Sequence, residues 1–449
     1  MKKRVLSMFM TLVLCLTLLP APVRAEETVC ICTDRCSEEM VNLDCPICSA
    51  ENADLSACLG KEAELPLMAA AASTEETISG NVTWENRNIT TPVTVKGDTT
   101  ITLKGENSIY QPATETTDKY DIDDDGTKDT VYEISNAGQL YWFAELVNGT
   151  LDGVEQNTLA NAILTANITV NENLLDSLQY DTEGNVSNGS DFISWTPIAD
   201  WMGNRTTQYS GTFDGNNKTV SGLYFNGDST CIGLFGSSES DGNIKNVGVV
   251  DSYFKGNDHV GGVCGNNAGT ITNCYNAGNL TAIESSATIG GICGYNNGGT
   301  VTNCYNTGTV TATGSVASVG GVCGCSTAPI SNCYNIGTVT ATGSDADISG
   351  ICGYNFGPIK NCYYLADTED ENGGKTAAQF ASGEIAYLLS QGCSTGEGDN
   401  TVTYDGSIWG QKLGENGDTY PVLDITKRVY QVDKYDGCEG KPGSSTKVY

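Results

Sequence analysis

Histidine is almost missing from this sequence: His259 is the only one in 449 residues. One imidazole cannot make an HExxH zinc site. A Ser-His-Asp centre would have to rest on His259 alone, with no G-x-S-x-G elbow beside it. His259 therefore reads as a structural surface residue. Positive charge is scarce as well. The 23 basic residues stand against 55 acidic ones, for a formal net charge of −32, which disfavours nucleic acid and anionic lipid as partners. From Val260 to Gly357 there is no Lys or Arg, and the only acids are Glu284, Asp345 and Asp347. That stretch cannot supply the paired carboxylates, or the carboxylate and base, that sugar-cleaving sites need. Asp191, Asp200 and Asp214 precede it, each isolated in sequence. After the first 25 residues no apolar run reaches membrane length, and no LPxTG-like sorting signal closes the chain.

What the sequence has in plenty is repetition. GGVCG, GGICG, GGVCG and SGICG recur around Cys264, Cys293, Cys323 and Cys352, at spacings of 29, 30 and 29. Each is followed by TITNCY, TVTNCY, PISNCY or PIKNCY, with cysteines at 274, 304, 333 and 362. A period of that size without heptads predicts a stacked array whose units bury their apolar faces on one another. The runs within a unit, such as Val260 to Cys264, Thr270 to Cys274 and Leu280 to Ile283, are β-branched, short and broken by Gly. They suit strands rather than helices. One repeat is then one coil of a three-sided β-solenoid. Val263, Ile292, Val322 and Ile351 should stack about 4.8 Å apart, as should Ile271, Val301, Ile330 and Ile359. Asn273, Asn303, Asn332 and Asn361 should form an amide ladder at a turn.

An older-looking coil precedes these, CIGLFG at 231 to 236 followed by NIKNVGVVDSYF, and GTFDGNNKTVSGLYF occupies 211 to 225. This text resembles the GLUG-motif repeats of bacterial secreted and cell-surface proteins, over roughly residues 190 to 365. The resemblance implies a parallel β-solenoid with surface or adhesin-like roles and no assigned chemistry. The chain departs from the usual pattern by placing Cys where Phe235 and Val247 stand in the older coil.

The rest divides as follows. Residues 1–25 read as a signal peptide, with MKKR before an apolar run and Ala25 at the cleavage position. Residues 26–60 hold Cys30, Cys32, Cys36, Cys45, Cys48 and Cys58, which suits disulfide staples, a small Zn²⁺ knuckle using the C-x₂-C at 45–48, or loosely paired thiols. A linker spans 61–77. Region 78–130 offers three or four strands and the loop DIDDDGTKD, in which Asp121, Asp123, Asp125 and Asp129 with Gly126 match the front of a Ca²⁺ loop. Tyr132 stands where the closing Glu would be, and a plain solvated acidic turn is the other reading. Region 131–230 begins with an amphipathic helix, Asn136 and Gln139 forming a capping pair, that should cover one open end of the stack. The solenoid proper spans 231–365. Region 366–449 should supply one helix through Phe380, Ile385 and Leu389, a hairpin in IWGQKLGENGDTYPVL, and a polar tail, capping the other end.

Two further sets of residues bear on function. Tyr275, Tyr305, Tyr334 and Tyr363 form a column that could stack on sugar faces, with Asn276, Asn306 and Asn335 bonding hydroxyls; structurally, the same rings would support each other and shield a sheet edge. The repeat cysteines pair within coils as 264–274, 293–304, 323–333 and 352–362, which suggests disulfides, while buried free thiols are the alternative. The expectation is an exported, non-catalytic surface interaction protein that binds glycan or protein. A carbohydrate-active β-helix enzyme is the alternative.

Overall fold

The computed structural model describes residues 110–201, 207–396, 401–431 and 449, together with the backbone of the strands Glu76–Ser79, Val82–Glu85, Val93–Lys96, Ile101–Lys104, Val432–Tyr435 and Ser445–Val448. The expected signal peptide, the cysteine-rich segment with its zinc or disulfide set, and the linker up to residue 75 lie outside the described residues. Four strands form within residues 76–104, and a hairpin of Thr114–Tyr120 with Asp129–Ile134 follows, where three or four strands were predicted. Glu76–Ser79 pairs in parallel with Val93–Lys96, and Val82–Glu85 with Ile101–Lys104.

From Asn161 onward parallel strands stack coil upon coil. One ladder runs through Phe235–Ser238, Cys264–Asn267, Cys293–Asn296, Cys323–Ser326 and Cys352–Asn355. A second runs through Val260–Gly261, Thr288–Gly290, Ser318–Gly320 and Asp347–Ser349. The third and largest sheet holds Thr270–Thr272 and Tyr275–Ala282 with their counterparts in later coils. Its strands bend at Asn273, Asn303, Asn332 and Asn361, which take φ of 54°, 51°, 52° and 53°. Asn tolerates this left-handed corner better than most residues, so a turn there recurs in every coil.

Both expected aliphatic columns are present. Ile271, Val301, Ile330 and Ile359 are register partners, and Val263, Ile292, Val322 and Ile351 are joined by successive backbone hydrogen bonds. Three columns carry an aromatic ring in the N-terminal coils. Phe213 leads into Ile244 and Ile271, Phe254 into Leu280, Val310 and Val339, and Phe235 into Cys264 and Cys293. Beyond those rings, toward the C-terminal coils, the core narrows to aliphatic and thiol side chains.

Helix α1, Ala137–Asn148, sits over that wide end. The Asn136 side chain accepts from the Gln139 N–H, Gln139 Oε1 accepts from Ser135 N at 2.8 Å, and Gly149 ends the helix at φ 68°. This is the predicted capping pair. Phe143 meets Phe213 and Tyr209 with ring centroids 6.2 and 6.4 Å apart, and Tyr141 packs edge-on against Trp195. Ten of its twelve residues are buried, so α1 is a plug continuous with the solenoid core rather than a surface lid. A short helix α2, Leu174–Ser177, is anchored by Asp251, whose carboxylate accepts from Leu174 N and Leu175 N at 2.9 Å each.

The C-terminal segment differs from expectation in two ways. Its single predicted helix is two, α3 at Ala377–Ala381 and α4 at Glu384–Ser390, because Gly383 between them takes φ 89°. Three antiparallel strand pairs follow, Cys393–Thr395 with Val402–Tyr404, Trp409–Gly410 with Val422–Leu423, and Val432–Tyr435 with Ser445–Val448. The segment also packs against the side of the stack. Phe380, Ile385, Leu389 and Trp409 form a second core together with Tyr334 of the solenoid.

Candidate functional site

Tyrosines 275, 305 and 334 stack as the register dictates, with centroids 4.8 and 5.0 Å apart and rings within 4° of parallel. The stripe is not open. Tyr334 is 1% exposed, lies against Trp409 and Phe380, and donates its hydroxyl to Pro421 O at 2.6 Å. Tyr305 touches Trp409, and Tyr363 joins the same cluster with its hydroxyl on Asn361 Oδ1 at 2.8 Å. Tyr275 is half-buried and its ring lies over Gly248, where a Cβ would fall 2.2 Å from the ring. The sugar-stacking stripe is therefore corrected to a packing surface for the C-terminal segment, because the stacked phenols present apolar ring faces and edges to Trp409 and Phe380.

Asn276, Asn306 and Asn335 are corrected likewise. All three are buried. Asn276 Nδ2 donates to Asn306 Oδ1, and Asn306 Nδ2 to Asn335 Oδ1, both at 2.8 Å. Each amide also closes its own turn through Gly278, Gly308 or Gly337. The glycines of the GG pairs make room for them. A Cβ on Gly262, Gly291 or Gly321 would come within 2.5, 2.3 and 2.3 Å of the facing Asn side chain. The GGxCG text is thus the complement of the NCYN text across the coil. Strand alternation carried the signal: with Cys274 inward and Tyr275 outward, Asn276 must point inward.

The corner asparagines bond only partly between coils. Asn273 Nδ2 donates to Asn246 Oδ1 and Asn361 Nδ2 to Asn332 Oδ1, but Asn303 and Asn332 donate to Asp405 O and Tyr404 O of the C-terminal segment.

No within-coil disulfide is present among the described residues. Cys264, Cys274, Cys293, Cys304, Cys323, Cys333, Cys352 and Cys362 are all free and buried. The thiols fill core positions held by Phe235 and Val247 in the earlier coil, and they donate to carbonyls near themselves, such as Cys264 to Asn266 O at 3.3 Å and Cys274 to Thr272 O at 3.2 Å. Burial raises the thiol of Cys264 well above its usual pKa. They behave as small apolar side chains.

In the acidic loop the structure brings together Asp121, Asp123 and Asp129, one carboxylate oxygen of each lying within 4.8 Å of the others. Asp125 is drawn aside by Thr127, whose N–H and hydroxyl it accepts at 2.7 and 2.6 Å, and these bonds lower its pKa. Asp121 Oδ2 accepts from Gly126 N at 3.0 Å, while Asp121 Oδ1 is buried without a hydrogen-bond partner. That orphaned oxygen, with two more carboxylates beside it, fits a hard cation. Glu133 is not available to close the site, since Lys119 and Tyr120 hold it at 2.5 and 2.7 Å. Lys245 of the solenoid reaches Ile122 O at 2.7 Å, tying the loop to a coil.

His259 is structural in its contacts. Its Nδ1 lies 2.7 Å from Asp258 and 3.1 Å from Thr288 Oγ1, and its ring meets Tyr295 edge-on. Of the isolated acids, Asp214 is occupied by Asn216 N and Asn246 Nδ2.

A strip of threonines also lies on the outer side of the large sheet. Thr281, Thr311 and Thr340 are register partners, flanked by Thr309 with Thr338 and by Thr313 with Thr342. Thr338, Thr340 and Thr342 are exposed. Thr311 and Thr340 hydroxyls meet at 3.2 Å, and Thr342 Oγ1 donates to Thr313 O at 3.2 Å. The signal was TGTVTATG followed 29 residues later by IGTVTATG, and no charged residue lies between Glu284 and Asp345.

Coils of near-constant length, joined by in-register parallel ladders around one axial core, define a repeat protein of the parallel β-solenoid class. Within that class the chain carries the GLUG motif, whose family profile matches residues 285–311. Over 89 residues, 19% of this chain, it is 33% identical to halomucin of Haloquadratum walsbyi, and the matched part is 1% of that protein. Among solved structures it is similar to a candidate immunoglobulin A1 protease from Bacteroides ovatus, at 18% identity and a TM-score of 0.42, over 66% of this chain and 93% of the other.

Proposed function

We propose that this protein is an exported, non-catalytic interaction module that binds a neutral glycan along the threonine strip of its solenoid. The observation that carries the reading is the strip itself: threonines in register across coils, free of charge, on a face the C-terminal segment leaves open. Coils advance by about 4.8 Å, close to the advance of one sugar along an extended β-linked chain, so a glycan laid along the axis would meet one hydroxyl and one methyl per sugar. Hydroxyls already oriented by their neighbours lose little freedom on binding. A neutral ligand suits a strip without charge on a chain of −32, which would repel an anionic one. GLUG repeats and a stacked fold support a surface role. The acidic loop is read as a Ca²⁺ site held by Asp121, Asp123 and Asp129. Bound Ca²⁺ would offset two of the three carboxylate charges and stiffen the hairpin 114–134 against the first coils.

Depletion of the protein from solution by insoluble cellulose or chitin tests the glycan reading. The wild type should be depleted with little dependence on salt, and the pair Thr311→Glu, Thr340→Glu should lose at least tenfold in affinity with an unchanged circular dichroism spectrum. Absence of binding across a panel of neutral polysaccharides would refute it. For the loop, calorimetric titration with Ca²⁺ should give one site, weakened at least tenfold in Asp123→Asn. Equal heats for variant and wild type would remove the site.

A further inference from the structure

Cysteine 393 is the one described cysteine that is not buried, and it extends a column that the repeats begin. Cys304 donates to Ile271 O at 3.8 Å, Cys333 to Val301 O at 3.9 Å and Cys362 to Ile330 O at 3.7 Å, each thiol reaching a carbonyl of the coil before it. Cys393 does the same, donating to Lys360 O at 3.8 Å. Cys362 donates to that same carbonyl at 3.3 Å. Two thiols converging on one oxygen are neighbours in space, although one belongs to the last coil and the other to the C-terminal segment. Spacing agrees: 274, 304, 333, 362 and 393 recur at close to the period of the coils.

We propose that Cys362 and Cys393 form a cystine that staples the C-terminal segment to the final coil once the protein meets an oxidising small-molecule disulfide. Cys393 is suited to the first step, being partly accessible. Its thiolate attacks one sulfur of the small disulfide and expels one small thiolate, leaving a mixed disulfide on Cys393. The Cys362 thiolate then attacks the Cys393 sulfur, the Cys362–Cys393 bond forms, and the second small thiolate leaves. Two protein thiols are oxidised, one disulfide is reduced to two thiols, and the two protons pass to the leaving thiolates. The other members of the column are constrained against this. Cys304, Cys333 and Cys362 follow the corners of ladder-paired strands, so their Cα–Cβ vectors run parallel, which suits bridge geometry poorly. Cys393 lies on a strand that pairs with Val402–Tyr404 and, among the described residues, stands outside the coil ladders, so it can turn toward Cys362.

The full chain is incubated with excess cystine at mildly alkaline pH, denatured, alkylated without reductant and mapped by mass spectrometry. The expected product is a Cys362–Cys393 cross-linked peptide, two hydrogens lighter than the reduced pair, with a melting temperature several degrees higher. Cys393→Ser should lose both changes while keeping its circular dichroism. Cys362→Ala should instead retain a stable mixed disulfide on Cys393. Full alkylation of both cysteines in the treated wild type, or a mixed disulfide on Cys393 that persists while Cys362 stays free, would overturn the proposal.

Discussion

At the scale of single residues, stability turns on polar groups that have left water. Asn306 accepts from Asn276 and donates to both Asn335 and Gly308 inside the stack. Asn306→Ala leaves the Gly308 N–H and C=O without their side-chain partner and takes one hydrogen bond each from the Asn276 and Asn335 amides, and each buried unsatisfied group costs about 1–3 kcal/mol. We expect a loss of about 3 kcal/mol by urea unfolding; a loss below about 0.5 kcal/mol would show that water replaces the missing partners. Gly291→Ala should be as damaging, since its Cβ would meet Asn306 Cγ at 2.3 Å and Gly321 O at 2.3 Å. The two asparagines of each NCYN look alike in sequence. One serves a corner at positive φ and the other an interior ladder, and only their position relative to the inward Cys distinguishes them.

At the scale of elements, one end and one flank of the stack are closed by helices that fold locally but find their place through tertiary contacts. Helix α1 was legible from its capping pair and apolar face, and its position over the N-terminal coils followed from the exposed end it had to cover. Asn136→Ala should cost about 1 kcal/mol, while Phe143→Ala, fully buried against Phe213 and Tyr209, should cost about 3–5 kcal/mol. Thermal unfolding would separate the two. The C-terminal segment was legible as helix and hairpin but not as a side cover. Trp409 is the test of that packing, because it touches both Tyr305 and Tyr334. Trp409→Ala should loosen residues 366–435, seen as faster proteolysis there with the repeats still protected. Uniform cleavage throughout the chain would mean that cover and coils unfold as one unit.

At the scale of the whole molecule, ionisation sets the limits of the fold. Burial, together with nearby charged groups, pushes Tyr363 from 10.0 up to about 12 and raises Tyr305 and Tyr334 as well. Burial likewise lifts Cys231 from 9.0 to about 12. These groups are held neutral in the folded chain, so their contribution is complete below the unfolded values of 9.0 and 10.0 and is lost as pH rises toward 12. Alkaline unfolding should therefore begin above about pH 9, with tyrosinate absorbance and loss of β circular dichroism rising together. Ionisation of Tyr334 near pH 10 with the fold intact, read as the difference in absorbance between wild type and Tyr334→Phe, would contradict the burial of the ladder. At neutral pH the charge of −32 opposes compaction, and added salt should raise the melting temperature by screening it.

The repeat text alone determined that this chain stacks, and in what register, because parallel strands bring like positions over one another and a period near thirty residues leaves few other ways to bury Val, Ile and Cys. It also determined where the turns fall, since Asn at a left-handed corner recurs with the period. Tertiary structure decided what each column does. Whether a tyrosine stripe faces solvent depends on where a segment some hundred residues away comes to rest. Whether two cysteines meet depends on the side-chain vectors that the ladders impose, and neither is encoded in spacing along the chain.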